Sequence, residues 1–114
     1  MELPALVRQI AEKELSALCE RRAPADLKDM VRVSHEVRGS RFTLFEERPP
    51  WRGEGPWTKL AVAQFRYDHT SATWELYCRD RNERWHSYTE ANATRSIREL
   101  IDEVDEDPTG IFWG

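Results

Sequence analysis

The chain has 114 residues, 39% of them apolar and 33% charged, and a formal net charge of −4. That length supports one core and predicts a single domain over residues 1–114; no run approaches the roughly 18 apolar residues of a membrane span. Residues 28–98 carry 13 basic and 10 acidic groups, net +3, whereas residues 99–114 carry 6 acidic groups and no basic one. This division argues against a globally basic nucleic-acid binder and for pairing between the middle and the end of the chain. The start, MELPALVRQIAEKE, meets acidic residues too early for a signal peptide, which predicts a cytoplasmic protein. Cys19 and Cys78 lie in no CxxC pair and read as small buried hydrophobes.

The spacing predicts a helix from Pro4 to Arg22, with Pro4 in the first turn and Leu6, Val7, Ile10, Ala11, Leu15 and Leu18 on one face. Glu14 interrupts that face, so its carboxylate must find a partner, reach the edge or do something. Ala23-Pro24 ends the helix.

Met30 to Val37 alternates as a strand, with Val31, Val33, His35 and Val37 on one side. Arg38-Gly39-Ser40-Arg41 is a hairpin turn, and a second strand runs from Phe42 to Arg48, stopped by Pro49-Pro50. The loop from Pro49 to Thr58 holds Trp51 and Trp57. Either both rings fold inward and cap the core, or they form an aromatic clamp with Arg48 and Arg52 beside it for something flat or anionic.

A third strand, Lys59 to Asp68, has apolar residues on both faces, which predicts a central strand covered on both sides near its start. Asp68 to Ala72 makes a turn, and Thr73 to Arg79 is the fourth strand, with Trp74, Leu76 and Cys78 facing one way. After a tight turn in which Asn82 can take the left-handed conformation, Arg84 to Tyr88 is the fifth. Short links favour an antiparallel meander in sequence order. A second helix is predicted from Thr94 to Glu106, capped by Ser96 with Glu99 or by Thr94, with Ile97, Leu100, Ile101 and Val104 inward. Asp105, Glu106 and Asp107 crowd the negative end of its dipole and call for cations from the sheet or its turns. Pro108-Thr109-Gly110 reverses the chain, and Ile111, Phe112 and Trp113 are expected to dock on the sheet. The fold class is therefore α+β: N-terminal helix, five-stranded antiparallel meander, C-terminal helix and docked apolar tail.

No nucleophile elbow, phosphate-cradling glycine loop or HExxH is present in the sequence. Glu46 and Glu47, adjacent on a strand, point to opposite faces and form no carboxylate pair. The residue types that suggest binding are Arg66, Tyr77, Arg79, Arg84, His86 and Tyr88 on neighbouring strands, together with Arg48, Trp51, Arg52 and Trp57 of the loop. Aromatic and arginine side chains on a sheet face stack bases and meet phosphates; the alternative is that these arginines pair with Glu75, Glu83 and the acidic helix end. A binding or interaction module without a cofactor is the leading expectation, its partner a protein or a single-stranded nucleic acid. Two others stand beside it: a nucleic-acid-processing or metal-dependent enzyme using His and Glu side chains, with His35, His86 and an acid as the ligand set, and a homodimer formed through a strand edge or the tail.

TLFEERPPW, AQFRYD, WELYCRDRNERWHSY and EVDEDPTGIFWG together resemble a bacterial family known as domain of unknown function 3024, over roughly Val31 to Gly114. Asn82 stands where glycine is expected in many relatives. The resemblance implies a small stand-alone bacterial protein, and it brings no activity, cofactor or functional residue with it.

Overall fold

The structure is a computed structural model that describes residues 2–27 and 29–113. Helix α1 spans Ala5–Arg22, begun by the extended Pro4, whose carbonyl accepts from the Arg8 N–H at 3.0 Å. A 3-10 turn, Ala25–Leu27, leads into strands β1 (Arg32–Arg38), β2 (Arg41–Arg48), β3 (Thr58–Asp68), β4 (Thr73–Arg79) and β5 (Trp85–Ser87). Helix α2, Ile97–Glu106, follows. All neighbouring strands are antiparallel and lie in the order β1-β2-β3-β4-β5, the meander that the short links predict.

Alternation decides the faces. Phe42, Leu44, Ala63, Phe65, Trp74, Leu76 and Cys78 point to one side, and there meet Ala11, Leu15 and Leu18 of α1 and Ile97, Leu100, Ile101 and Val104 of α2 in a single buried cluster. The pairing slips at Leu44 and Phe45, which oppose Ala63 and Ala61, so Val62 is the extra residue of a β-bulge and is itself buried.

Several expectations need correction. The buried row of α1 is narrower than the periodicity suggests: Leu6 and Ile10 are exposed, and Glu14 is half-buried beside them. At 100° per residue, Leu6, Ile10 and Glu14 form a flanking row, so Glu14 sits at the edge of the apolar stripe and not in its middle. Strand β3 is central, yet its start is uncovered, with Leu60 55% exposed. Pairing of β3 with β4 begins only at Ala63, so the first residues of β3 extend past β4 while still paired with β2. In the turn after β4, Glu83 rather than Asn82 takes the left-handed conformation, at φ 63°.

Helix α2 starts later than predicted because Thr94 is still extended and exchanges both backbone hydrogen bonds with Trp74 at 2.7 and 3.0 Å. The Thr94 hydroxyl donates to the Glu99 carboxylate and accepts from the Ser96 N–H, while the Ser96 hydroxyl caps nothing. At the other end, Asp107 is left-handed (φ 46°, ψ 56°) and its carboxylate accepts from the N–H groups of Phe112 at 3.1 Å and Trp113 at 2.9 Å. The tail is thereby folded back. Phe112 packs on Tyr88 just beyond β5, and the Trp113 indole donates to the Val104 carbonyl at 2.8 Å with the Arg22 guanidinium over its ring. It docks beside the last strand and between the helix ends, and of the three apolar residues expected to dock Ile111 does not, remaining 48% exposed.

The cations that meet the acidic end of α2 come from α1, not from the sheet. Arg21 and Arg22 lie 3.5 and 3.1 Å from the Asp105 carboxylate, and Arg22 also donates to the Asp105 carbonyl at 2.7 Å. The two arginines at the C-terminus of α1 thus offset the negative end of the α2 dipole as well as that of their own helix.

Candidate functional site

The helices cover one face of the sheet, and the opposite face carries the least neutralised charge. The two-residue link Gly39-Ser40 forces Arg38 opposite Arg41, and Arg41 in turn opposes Arg66. Three arginines therefore lie side by side across β1, β2 and β3, with Cβ atoms about 5 Å apart in directly opposed pairs. Arg38 and Arg41 make no hydrogen bond or ion pair within the described residues. Arg66 donates to Gln64 Oε1 at 2.6 Å and lies 3.8 Å over the Tyr77 ring. Burial, and then the charge of Arg41, push the Arg66 guanidinium below its ordinary value. Like charges in opposed positions are unfavourable unless an anion joins them.

One strand-step along, Thr43, Gln64 and Tyr77 continue the face, and Gln64, which donates to Thr43 at 3.0 Å, is its buried polar residue. Arg38, Arg41, Thr43, Phe45 and Gln64, together with Glu36 and Val37, line a depression of about 460 Å³ with predominantly polar walls. Lys59 sits 4.4 Å over the Phe45 ring, and Arg79 sits 5.5 Å over Trp85. Glu36 is engaged by Lys59 at 3.0 Å and Glu47 by Ser34 at 3.2 Å, whereas Glu75, which accepts from the Tyr77 hydroxyl at 3.3 Å, directly opposes Arg66 and partly offsets its charge.

Of the residues singled out in the sequence, Arg66, Tyr77 and Arg79 lie together on this face. Tyr88 does not: it is 4% exposed, in the core, donating to Glu103 at 2.8 Å. His86 opposes Cys78, hence lies on the helix side, and its Nε2 is 2.6 Å from Asp80 Oδ2. Trp85 occupies the place on the open face assigned to its neighbours. Arg84 is exposed in the turn. Arg48 points away from the arginine row and pairs with Glu46 at 2.9 Å. Neither loop tryptophan caps the core. Trp51 is 87% exposed beneath Arg52, and Trp57 stacks with Arg32, the guanidinium 4.0 Å from the ring. Arg38, Arg41, Thr43, Phe45 and Gln64 were missed, although the symmetry of a Gly39-Ser40 turn and the alternation of β3 contain the signal.

The catalytic alternatives gain little from the geometry. His35 and His86 stand on β1 and β5, the two edges of the sheet, four strand spacings of about 4.8 Å apart. Among the described residues no group of three His, Cys, Asp or Glu side chains is placed to hold a metal ion. Cys78 faces His86 in register, but no hydrogen bond joins them, and burial raises the thiol. Burial also pushes Cys19 up to about 11. Both thiols are protonated at neutral pH and poor nucleophiles. No described helix is long and apolar enough to cross a membrane.

A family model described as Domain of unknown function (DUF3024) matches residues 3–114, essentially the whole chain, and the chain belongs to that family. No curated protein and no solved structure matches it.

Proposed function

We propose that this member of the family is a binding module that takes single-stranded nucleic acid on the open face of its sheet. The observation that carries the reading is the row Arg38, Arg41 and Arg66, in which Arg38 and Arg41 have no ion pair among the described residues and Arg66 stands between Arg41 and Glu75, beside a polar depression. Phosphate oxygens accept from guanidinium forks, and the Arg66–Tyr77 and Arg79–Trp85 stacks supply flat surfaces for bases. The acidic helix α2 lies on the other side of the sheet, so the net charge of −4 does not oppose approach to this face.

Titration of a labelled oligothymidylate by fluorescence anisotropy tests the proposal. With about three phosphates neutralised, log K should fall with log salt at a slope near −2. Arg41→Glu should abolish binding. Retention of full affinity by Arg41→Glu, or a salt-independent affinity, overturns the reading.

A further inference from the structure

The helix side of the molecule carries a second, unrelated cavity. Its floor and walls come from three places: the flanking row of α1, the β3–β4 hairpin and the first turn of α2. Val7, Ile10, Tyr67, Trp74 and Ile97 make it predominantly apolar, and its volume of about 490 Å³ is that of an ordinary small-molecule site. It is open to solvent, and Ile10 on its rim remains 49% exposed.

Charge is distributed across this groove in an unusual way. Glu14 lines the α1 wall, and Arg95 and Arg98 line the α2 wall. None of the three makes a hydrogen bond or ion pair within the described residues, unlike Glu12, which Arg8 engages at 3.0 Å. The acid and the arginines face one cavity and do not reach one another. Glu14 thus shares the cavity lining with Val7, Ile10 and Trp74 and has no ion-pair partner among the described residues.

We propose that the groove binds a short apolar peptide with both ends free. Its ammonium meets Glu14, its carboxylate meets Arg95 and Arg98, and its side chains lie on Ile10, Trp74 and Ile97. A purely anionic amphiphile leaves Glu14 unpaired under its tail, and a purely cationic one leaves two arginines unpaired. Only a ligand with separated opposite charges and an apolar body satisfies all three walls. This inference is independent of the sheet-face reading, because the groove and the arginine row lie on opposite sides of the sheet.

Isothermal titration of the full chain with three leucine tripeptides tests it: free at both ends, N-acetylated, and C-amidated. The free peptide should bind, and each blocked form should bind about tenfold more weakly or worse, as expected for loss of a charge-assisted contact. Glu14→Gln should weaken the free peptide and erase its advantage over the acetylated one. The double variant Arg95→Ala/Arg98→Ala should erase its advantage over the amide. These are surface or edge positions, so melting curves should confirm that the variants are folded. Equal binding of all three peptides, no binding of the free one, or an unchanged preference in folded Glu14→Gln overturns the proposal.

Discussion

Ending the chain at Gly110 removes Ile111, Phe112 and Trp113, and the structure allows the effect to be worked out. Phe112 is buried against Tyr88 and Trp113 is half-buried under Arg22. Burying the first ring is worth about 2–3 kcal/mol and the second about 1–2 kcal/mol. Two N–H groups bonded to the Asp107 carboxylate add about 3 kcal/mol together, and the indole bond to Val104 about 1 kcal/mol. The Arg22–Trp113 contact contributes about 0.5–1 kcal/mol. Against this, ordering three residues costs about 4–5 kcal/mol. The net is about 4 kcal/mol, which for a domain of this size lowers Tm by about 15 °C. Differential scanning calorimetry of the full and shortened chains checks the figure. A shift below about 4 °C would show that the docked tail is not part of the fold's stability, and would refute the reasoning.

Leu76→Ala and Leu100→Ala, each at a fully packed position between helix and sheet, should lose about 2–5 kcal/mol in urea titrations; losses below about 1 kcal/mol at both would mean that the core is misplaced. Burial lowers the His35 pKa beneath its ordinary 6.5, so the unfolded chain takes up the proton first. Stability held by neutral His35, packed on Phe42 and 3.3 Å from the Ser16 hydroxyl, should therefore be complete above pH 6.5 and fall as pH drops through the folded value. In His35→Gln part of that slope should vanish, and an unchanged slope between pH 7 and 5 contradicts the assignment. Asp105→Ala should cost only about 0.5–1 kcal/mol, less at high salt, since its arginine partners are partly exposed; a loss insensitive to salt would point to packing instead.

Much of this arrangement was legible in the residues because local and global signals agree. Strand β4, with Trp74, Leu76 and Cys78 on alternate positions, and α2, with its inward Leu100, Ile101 and Val104, are clean periodic patterns, and the short turns allow one simple topology. What periodicity does not carry is which of two neighbouring rows a helix buries. Leu6 and Ile10 share the apolar periodicity of the core row, yet Leu6 is exposed and Ile10 borders a groove, since that depends on where α2 lies. Nor does alternation within one strand give register between strands. Tyr88 and His86 seemed to extend the Tyr77 face, but Tyr77 opposes Ser87, which places both on the other side. The candidate surface was half visible for the same reason: Arg66, Tyr77 and Arg79 stand out in sequence, whereas Arg38 and Arg41 matter only once the hairpin sets them beside Arg66. The loop tryptophans show the limit of composition, because a large ring reads as core until its own arginine is found stacked on it.

Nuclear magnetic resonance with an oligothymidylate at low salt shows whether the open sheet face receives a nucleic-acid strand. The Nε–H signals of Arg38, Arg41 and Arg66 and the side-chain amide of Gln64 should shift together and saturate at one affinity, while the signals of Arg95 and Arg98 on the helix side stay in place. Shifts confined to the helix side, or none anywhere with the strand in excess, would contradict the account.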